Sequence, residues 1–374
     1  MSSRIHLAVR DALSLVLRSN VADATAVIRK ALSAGKPDLQ SPHPAPAPRK
    51  LSPPGSSSVF DTATSPQRTA HEHGSRQKSF VKSMPKKARG NPGKPDNFTQ
   101  RMYYHVERDL SYMLYVPRQN SARERSLLLM LHGCTQNPKD FAVGTQMNVL
   151  ADEFNFVVAY PLQPTTANPS GCWNWFDSRH QNHGSGEPAM LAGLAETLRS
   201  EFNVSEKRVF AAGLSAGGAM AEVLATTYPQ LFAAVGVHSG LPYRAATSLG
   251  NALRAMKGAS KTGLDPSTKT QRTPRRIIFH GSSDATVHPS NGARIVEHAR
   301  RSSSKLTEVT FTKEINGREV TRTIMEDDQC CAVVEYWAVK GGSHAWFGGN
   351  SQGSFTDQRG PDASREMARF FTLD

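Results

Sequence analysis

From Phe98 onward the chain reads as an α/β protein built on a mostly parallel, doubly wound sheet. Three observations predict this. Short runs rich in β-branched and aromatic residues alternate with longer segments of helical period. Several of those runs are apolar without interruption, the pattern of strands covered on both faces. A sharp change of composition near residue 97 sets this stretch apart from the proline-rich, polar text before it.

In chain order the strand candidates are Ser111–Val116, Ser126–Leu131, Phe156–Tyr160, Arg208–Ala212, Ala233–Val237, Arg276–Phe279 and Val333–Val339. Helical patterns fall between and after them, at Phe141–Phe154, Glu187–Phe202, Ser215–Tyr228, Asn291–Arg300 and Asp362–Phe371. Within Thr310–Thr323, the pair Asn316-Gly317 between alternating segments predicts a type I′ hairpin. Tyr243–Thr273 is polar and basic without a clear period, and is expected to be an inserted loop near the site.

The chain divides into an amphipathic helical segment (1–36), a basic linker (37–97) and a catalytic domain (98–374). Apolar residues at helical spacing, such as Ile5, Val9, Leu13, Val27, Ile28 and Leu32, predict two short helices whose apolar face needs a partner. The linker is rich in Pro, Ser, Lys and Arg. It buries too little apolar surface to offset its ordering entropy, so it is expected to be disordered. Most of the net charge of +13 belongs to this quarter: residues 1–96 hold 16 Lys+Arg against 6 Asp+Glu, and the remainder 29 against 26. The catalytic part is therefore close to neutral, and no nucleic-acid partner is expected. Arg10, Asp11 and Arg18 interrupt any signal-peptide core, and no run of about 18 apolar residues would span a membrane. The expectation is a cytoplasmic protein. Cys134, Cys172, Cys330 and Cys331 are too few for a disulfide scaffold and lack zinc spacing, so neither metal nor cofactor is expected.

Gly213-Leu214-Ser215-Ala216-Gly217 follows one strand candidate directly and opens a helical pattern. A serine on such a strand-to-helix elbow sits in strained backbone, so its neighbours must be small; Gly213, Ala216, Gly217 and Gly218 are. This context makes Ser215 the candidate nucleophile of an α/β-hydrolase fold. The fold then asks for an acid and a histidine, in that order, on loops after later strands. Asp284 follows the strand candidate ending at Phe279, and His344 follows the last one. His280 lies in or at the end of a strand and precedes the acid, and His288 follows Asp284 too closely to reach its far side, so neither serves as the base. His132-Gly133-Cys134 follows an early buried strand, where the second oxyanion donor belongs. The donors are assigned to the backbone amides of Cys134 and Ala216. The Cys134 thiol is either a small buried hydrophobe or the partner of Cys172.

Leu131-His132-Gly133-Cys134-Thr135-Gln136, Gly171-Cys172-Trp173-Asn174-Trp175-Phe176, the run Gly213–Met220 and Gly342-Ser343-His344-Ala345-Trp346 together resemble the poly(3-hydroxybutyrate) depolymerase-like esterases. That family also includes feruloyl and acetylxylan esterases. The resemblance implies Ser-His-Asp hydrolysis of 3-hydroxyalkanoate esters, polymer or oligomer. Removal of feruloyl or acetyl groups from plant polysaccharide is the alternative, and a non-catalytic binding protein ranks below both. The resemblance also implies that Trp173, Trp175, Phe176 and Trp346 flank the site, although Trp173 and Phe176 read equally well as core. Many relatives are extracellular, which is the alternative location. Residues 1–97 are expected either to tether the enzyme to a hydrophobic granule surface or to pack and self-associate.

Overall fold

The computed structural model describes residues 97–117, 123–259, 273–302 and 305–373. The helical segment expected over 1–36 and the linker over 37–97, Asn97 apart, lie outside the described residues, as do residues 260–272 of the expected loop.

The uninterrupted apolar runs form the parallel centre of a sheet. Strands β3 (Ser126–Leu131), β4 (Phe156–Pro161), β5 (Val209–Leu214) and β6 (Ala234–His238) are buried along their whole length. With β7 (Arg275–Gly281) and β10 (Ala332–Val339) they run parallel. Antiparallel strands flank them: β1 (Phe98–Tyr103) and β2 (Leu110–Tyr115) on one side, β8 (Thr307–Ile315) and β9 (Arg318–Glu326) on the other. The order is β1-β2-β4-β3-β5-β6-β7-β10-β9-β8. Strand alternation feeds two cores. Leu127, Leu129 and Leu131 pack with Met190, Leu194, Met220 and Leu224 on one face. Leu128 and Met130 pack with Phe141, Leu150 and Phe371 on the other.

The helices covering these faces are α1 (Pro138–Thr145), α2 (Met147–Phe154), α3 (Gly186–Glu201), α4 (Ala216–Thr227), α5 (Leu249–Met256), α6 (Ser290–Ser302) and α7 (Ala363–Phe371). Two differ from the sequence expectation. The single helix expected over Phe141–Phe154 is broken at Gln146, whose φ of 54° ends α1 in the left-handed region. Gly144 and Thr145 are weak helix formers, and Gly144 lies against Gly353 and Thr356, so packing decides the break. In the segment expected to be irregular, α5 forms behind the Ser248 cap. Its Leu249, Ala252, Leu253 and Met256 have helical spacing, but eight residues are too few to stand out.

β1 was also not anticipated, because an edge strand exposed on one face carries few apolar residues. The hairpin is longer than expected and turns at Asn316 and Gly317, with φ of 46° and 70°. A type I′ turn requires both to be positive. No helix among the described residues is long and apolar enough to cross a membrane.

α4 is buried on nearly all sides and carries Glu222, 1% exposed, bonded to Arg276 Nε at 3.0 Å. Burial raises the Glu222 carboxyl, and Arg276 opposes that rise. Glu222→Ala would leave the guanidinium buried without its counter-charge, and is expected to cost about 3–5 kcal/mol in urea unfolding. A loss below about 1 kcal/mol would show that Arg276 finds another partner.

Candidate active site

β5 runs into α4 through Ser215, whose φ of 58° and ψ of −117° lie outside ordinary helical and extended backbone. Such a residue costs about 1–3 kcal/mol and persists only where its surroundings hold it. Here Ser215 N donates to His238 O at 2.8 Å, and Ala219 N to Ser215 O at 2.9 Å. A Cβ on Gly213 would press on Gly217, and one on Gly217 on the carbonyl of Leu131. Only glycine fits at either position.

Asp284, 4% exposed, lies on the loop after β7. Its Oδ1 accepts from Thr286 N at 3.0 Å and Val287 N at 2.8 Å. Its Oδ2 accepts from His344 Nδ1 at 2.8 Å. Burial alone would raise this carboxyl, but the neighbouring His280 and His344 imidazoles outweigh it and hold Asp284 well below the usual carboxylate range. A carboxylate only accepts, so His344 Nδ1 carries the proton and Nε2 keeps its lone pair. The loops bearing acid and base follow adjacent strands β7 and β10, and Ser283 N donates to Gly342 O at 2.9 Å.

Ser215 and His344 line one small cavity of about 190 Å³ with Gly133, Cys134, Gln136, Leu214 and Phe355. The loop after β3 supplies its donor. Gly133 N donates to Gln136 Oε1 at 2.9 Å, Thr135 N to Ser170 O at 2.8 Å and Gln136 N to Gly133 O at 3.3 Å. Among the described residues, the Cys134 amide is thus this loop's uncommitted N–H. His132 braces the loop, donating from Nδ1 to Gly133 O at 2.8 Å and accepting from Gln163 N at 3.1 Å. Burial pushes its ring down to about 4, so it is neutral. Ala216 is the first residue of α4, so its amide sits at the positive end of the helix. Cys134 is bonded to Cys172, which resolves the alternative left open by the sequence.

A second, apolar cleft of about 480 Å³ opens beside Ser215, lined by Cys134, Cys172, Trp175, Phe176, Ala216, Leu241, Leu249, Ala252, Leu253, Met256 and Val287. Trp175 and Phe176 line it as the resemblance implied; Trp173 and Trp346 do not. Trp173 is fully buried next to His132, in the core. Trp346, 1% exposed, belongs to the opposite core: it stacks on His238 at 5.0 Å and donates to Ser364 Oγ at 2.9 Å. Two residues after His344 the chain enters β11 (Trp346–Phe347), paired with β12 (Thr356–Asp357), and that pairing accompanies an inward-facing indole. The four α5 residues are lining that the sequence reading missed. Glu187, also missed, does not line the cleft; it accepts from Asn174 N at 2.7 Å and Gln163 Nε2 at 2.5 Å and so anchors the Cys172–Phe176 stretch.

Ser215→Ala is expected to lower ester turnover about a millionfold. Asp284→Asn should lower it about ten-thousandfold through loss of the correct imidazole tautomer. Rates on a 4-nitrophenyl ester, with melting curves to establish folding, check both; a few-fold loss at Asp284 would move the acid elsewhere.

A family model described as esterase PHB depolymerase matches residues 110–307, more than half of the chain. Over 180 residues the chain is 34% identical to poly(3-hydroxyalkanoate) depolymerase C of Paucimonas lemoignei, covering 46% of this chain and 43% of that protein. Over 193 residues it is 31% identical to a probable acetylxylan esterase A of Neosartorya fischeri, covering 48% and 51%. The chain spans about half the length of these curated relatives. An acetyl xylan esterase structure from Aspergillus awamori matches with a TM-score of 0.53 at 22% identity, over 70% of this chain and 93% of that one, a likeness of fold. The chain adopts an α/β-hydrolase fold and belongs to the esterase PHB depolymerase family.

Proposed function

We propose that the chain is a serine esterase that hydrolyses 3-hydroxyalkanoate esters, as poly(3-hydroxybutyrate) or as oligomers, through an acyl-enzyme. The observation that carries this reading is the 2.8 Å bond from His344 Nδ1 to Asp284, with His344 and Ser215 lining the same small cavity. Ser215 Oγ attacks the ester carbonyl as His344 Nε2 takes its proton. The Cys134 and Ala216 amides stabilise the oxyanion, each donor being worth about 2.7–4 kcal/mol in such sites. His344 then protonates the leaving alcohol. Water, activated by the same imidazole, releases the acid and restores the serine.

The cleft beside the serine is walled by hydrocarbon, aromatic rings and a disulfide, which suits an apolar acyl group rather than a sugar. A second reading, an aromatic acyl group such as ferulate, draws support from Trp175 and Phe176, whose rings meet edge-on at 5.6 Å in that wall. The amphipathic and basic character of residues 1–97 supports docking on a hydrophobic polymer surface. The Cys134–Cys172 bond favours an oxidising compartment over the cytoplasmic expectation, since such bonds persist where thiols are not kept reduced.

A panel of 4-nitrophenyl esters, hydroxybutyrate oligomers, amorphous polymer and methyl ferulate tests the reading. Hydroxybutyrate oligomers should show the highest kcat/KM among the natural esters. Leu253→Trp, which fills the cleft, should lower kcat/KM for 4-nitrophenyl octanoate at least about tenfold more than for the acetate. Preference for methyl ferulate would select the second reading, and equal losses on both chain lengths would place the acyl group elsewhere.

A further inference from the structure

His280 is fully enclosed at the end of β7, four residues before the acid. Its Nε2 lies 2.8 Å from Val287 O and 3.5 Å from Asp284 Oδ2. A carbonyl can only accept, so Nε2 bears the proton, and its N–H edge faces both oxygens. The other nitrogen, Nδ1, is buried without a hydrogen-bond partner among the described residues. Gly292 closes that side, since a Cβ there would lie 2.8 Å from Nδ1. A proton on Nδ1 would be buried with nothing to accept it, so the ring's N–H is the one on Nε2.

The two oxygens that His280 faces are opposite ends of the acid loop. Asp284 Oδ1 already takes the amides of Thr286 and Val287, and Oδ2 takes His344. Past Val287 the loop is tied to α5, where His288 N donates to Met256 O at 2.7 Å. A carboxylate enclosed this way needs its remaining lone-pair directions met by N–H groups, or it swings toward whichever donor is left.

We propose that His280 is a positioning residue that clamps the Asp284–Val287 turn and sets the carboxylate that orients His344. This rests on the reading of Asp284 as the acid of the triad. The clamp acts on the base through Asp284, so its loss falls on kcat more than on KM.

The test uses the full chain and 4-nitrophenyl butyrate. His280→Gln can return an N–H to the Nε2 position, whereas the shorter His280→Asn reaches only as far as Nδ1. His280→Leu supplies no donor. The expected result is a fall in kcat of about a hundredfold for Leu and Asn, as for a displaced catalytic group, with KM changed less than about threefold. Gln should recover at least about tenfold of that loss. In an Asp284→Asn background, His280→Leu should cost less than about twofold more, because the partner it acts through is already disabled. Where Leu fails to fold by its melting curve, the Gln–Asn contrast carries the test. Equal activity of Gln and Asn, or an undiminished loss in the Asp284→Asn background, overturns the proposal. Near-normal turnover of Asp284→Asn alone overturns the acid assignment and the proposal with it.

Discussion

The site depends on how closely the first turn of α4 approaches the end of β3. No side chain fits between them: a Cβ on Gly217 would run into the Leu131 carbonyl and come within 2.7 Å of His132 O. Backbone contact therefore fixes the separation between the serine elbow and the loop that carries the Cys134 amide. The sheet order makes this contact possible. From β3 the chain steps to β4 on one side, then returns to β5 on the other, so the loops after β3 and β5 diverge at the switch point where ligands bind in open parallel sheets. The strain at Ser215 is held by the same neighbours, because its amide is anchored on β6 through His238 O.

Around this frame, four buried or nearly buried histidines are distinguished by what their two nitrogens meet. His132 spends one on Gly133 O and the other on Gln163 N. His238 accepts from Phe347 N at 3.1 Å, stacks between Phe279 and Trp346, and is pushed well down by burial. His280 faces Val287 O on one side and Gly292 on the other. Of these four, His344 alone both bonds a carboxylate at hydrogen-bond distance and lines a cavity with Ser215. Surroundings thus distinguish the four, since the ring itself is the same in all.

What could be read from the sequence follows from how tightly each feature is constrained. The elbow is legible because several consecutive positions must be small, and the central strands because burial on both faces leaves uninterrupted apolar runs. Asp284 and His344 are legible through their order and their loops. β1 was not, since an edge strand half open to water carries little apolar pattern. The break at Gln146 depends on Gly144 meeting Gly353, more than two hundred residues away in the chain. Trp346 misled because proximity to His344 in sequence says nothing about side once a short strand intervenes. His280 lies in a strand and precedes the acid, which argues against a base, and its distances to Val287 O and Asp284 Oδ2 exist only in the fold.

The same contrast separates the serine elbow and its partners from the apolar cleft beside Ser215. Attack and proton transfer require atoms within narrow distances, and the sequence records that demand as glycines, small residues and a fixed order of functional groups. A cleft wall needs only to be apolar and suitably shaped, a condition that many sequences meet and few patterns betray. That is why α5 escaped notice although four of its eight residues line the cleft. The two parts are nevertheless joined covalently. Cys134 lies on the loop after β3, and its bond to Cys172 ties that loop to the stretch ending in Trp175 and Phe176. Glu187 holds the stretch from below through Asn174. A change in this wall would therefore reach the loop after β3 through one covalent bond.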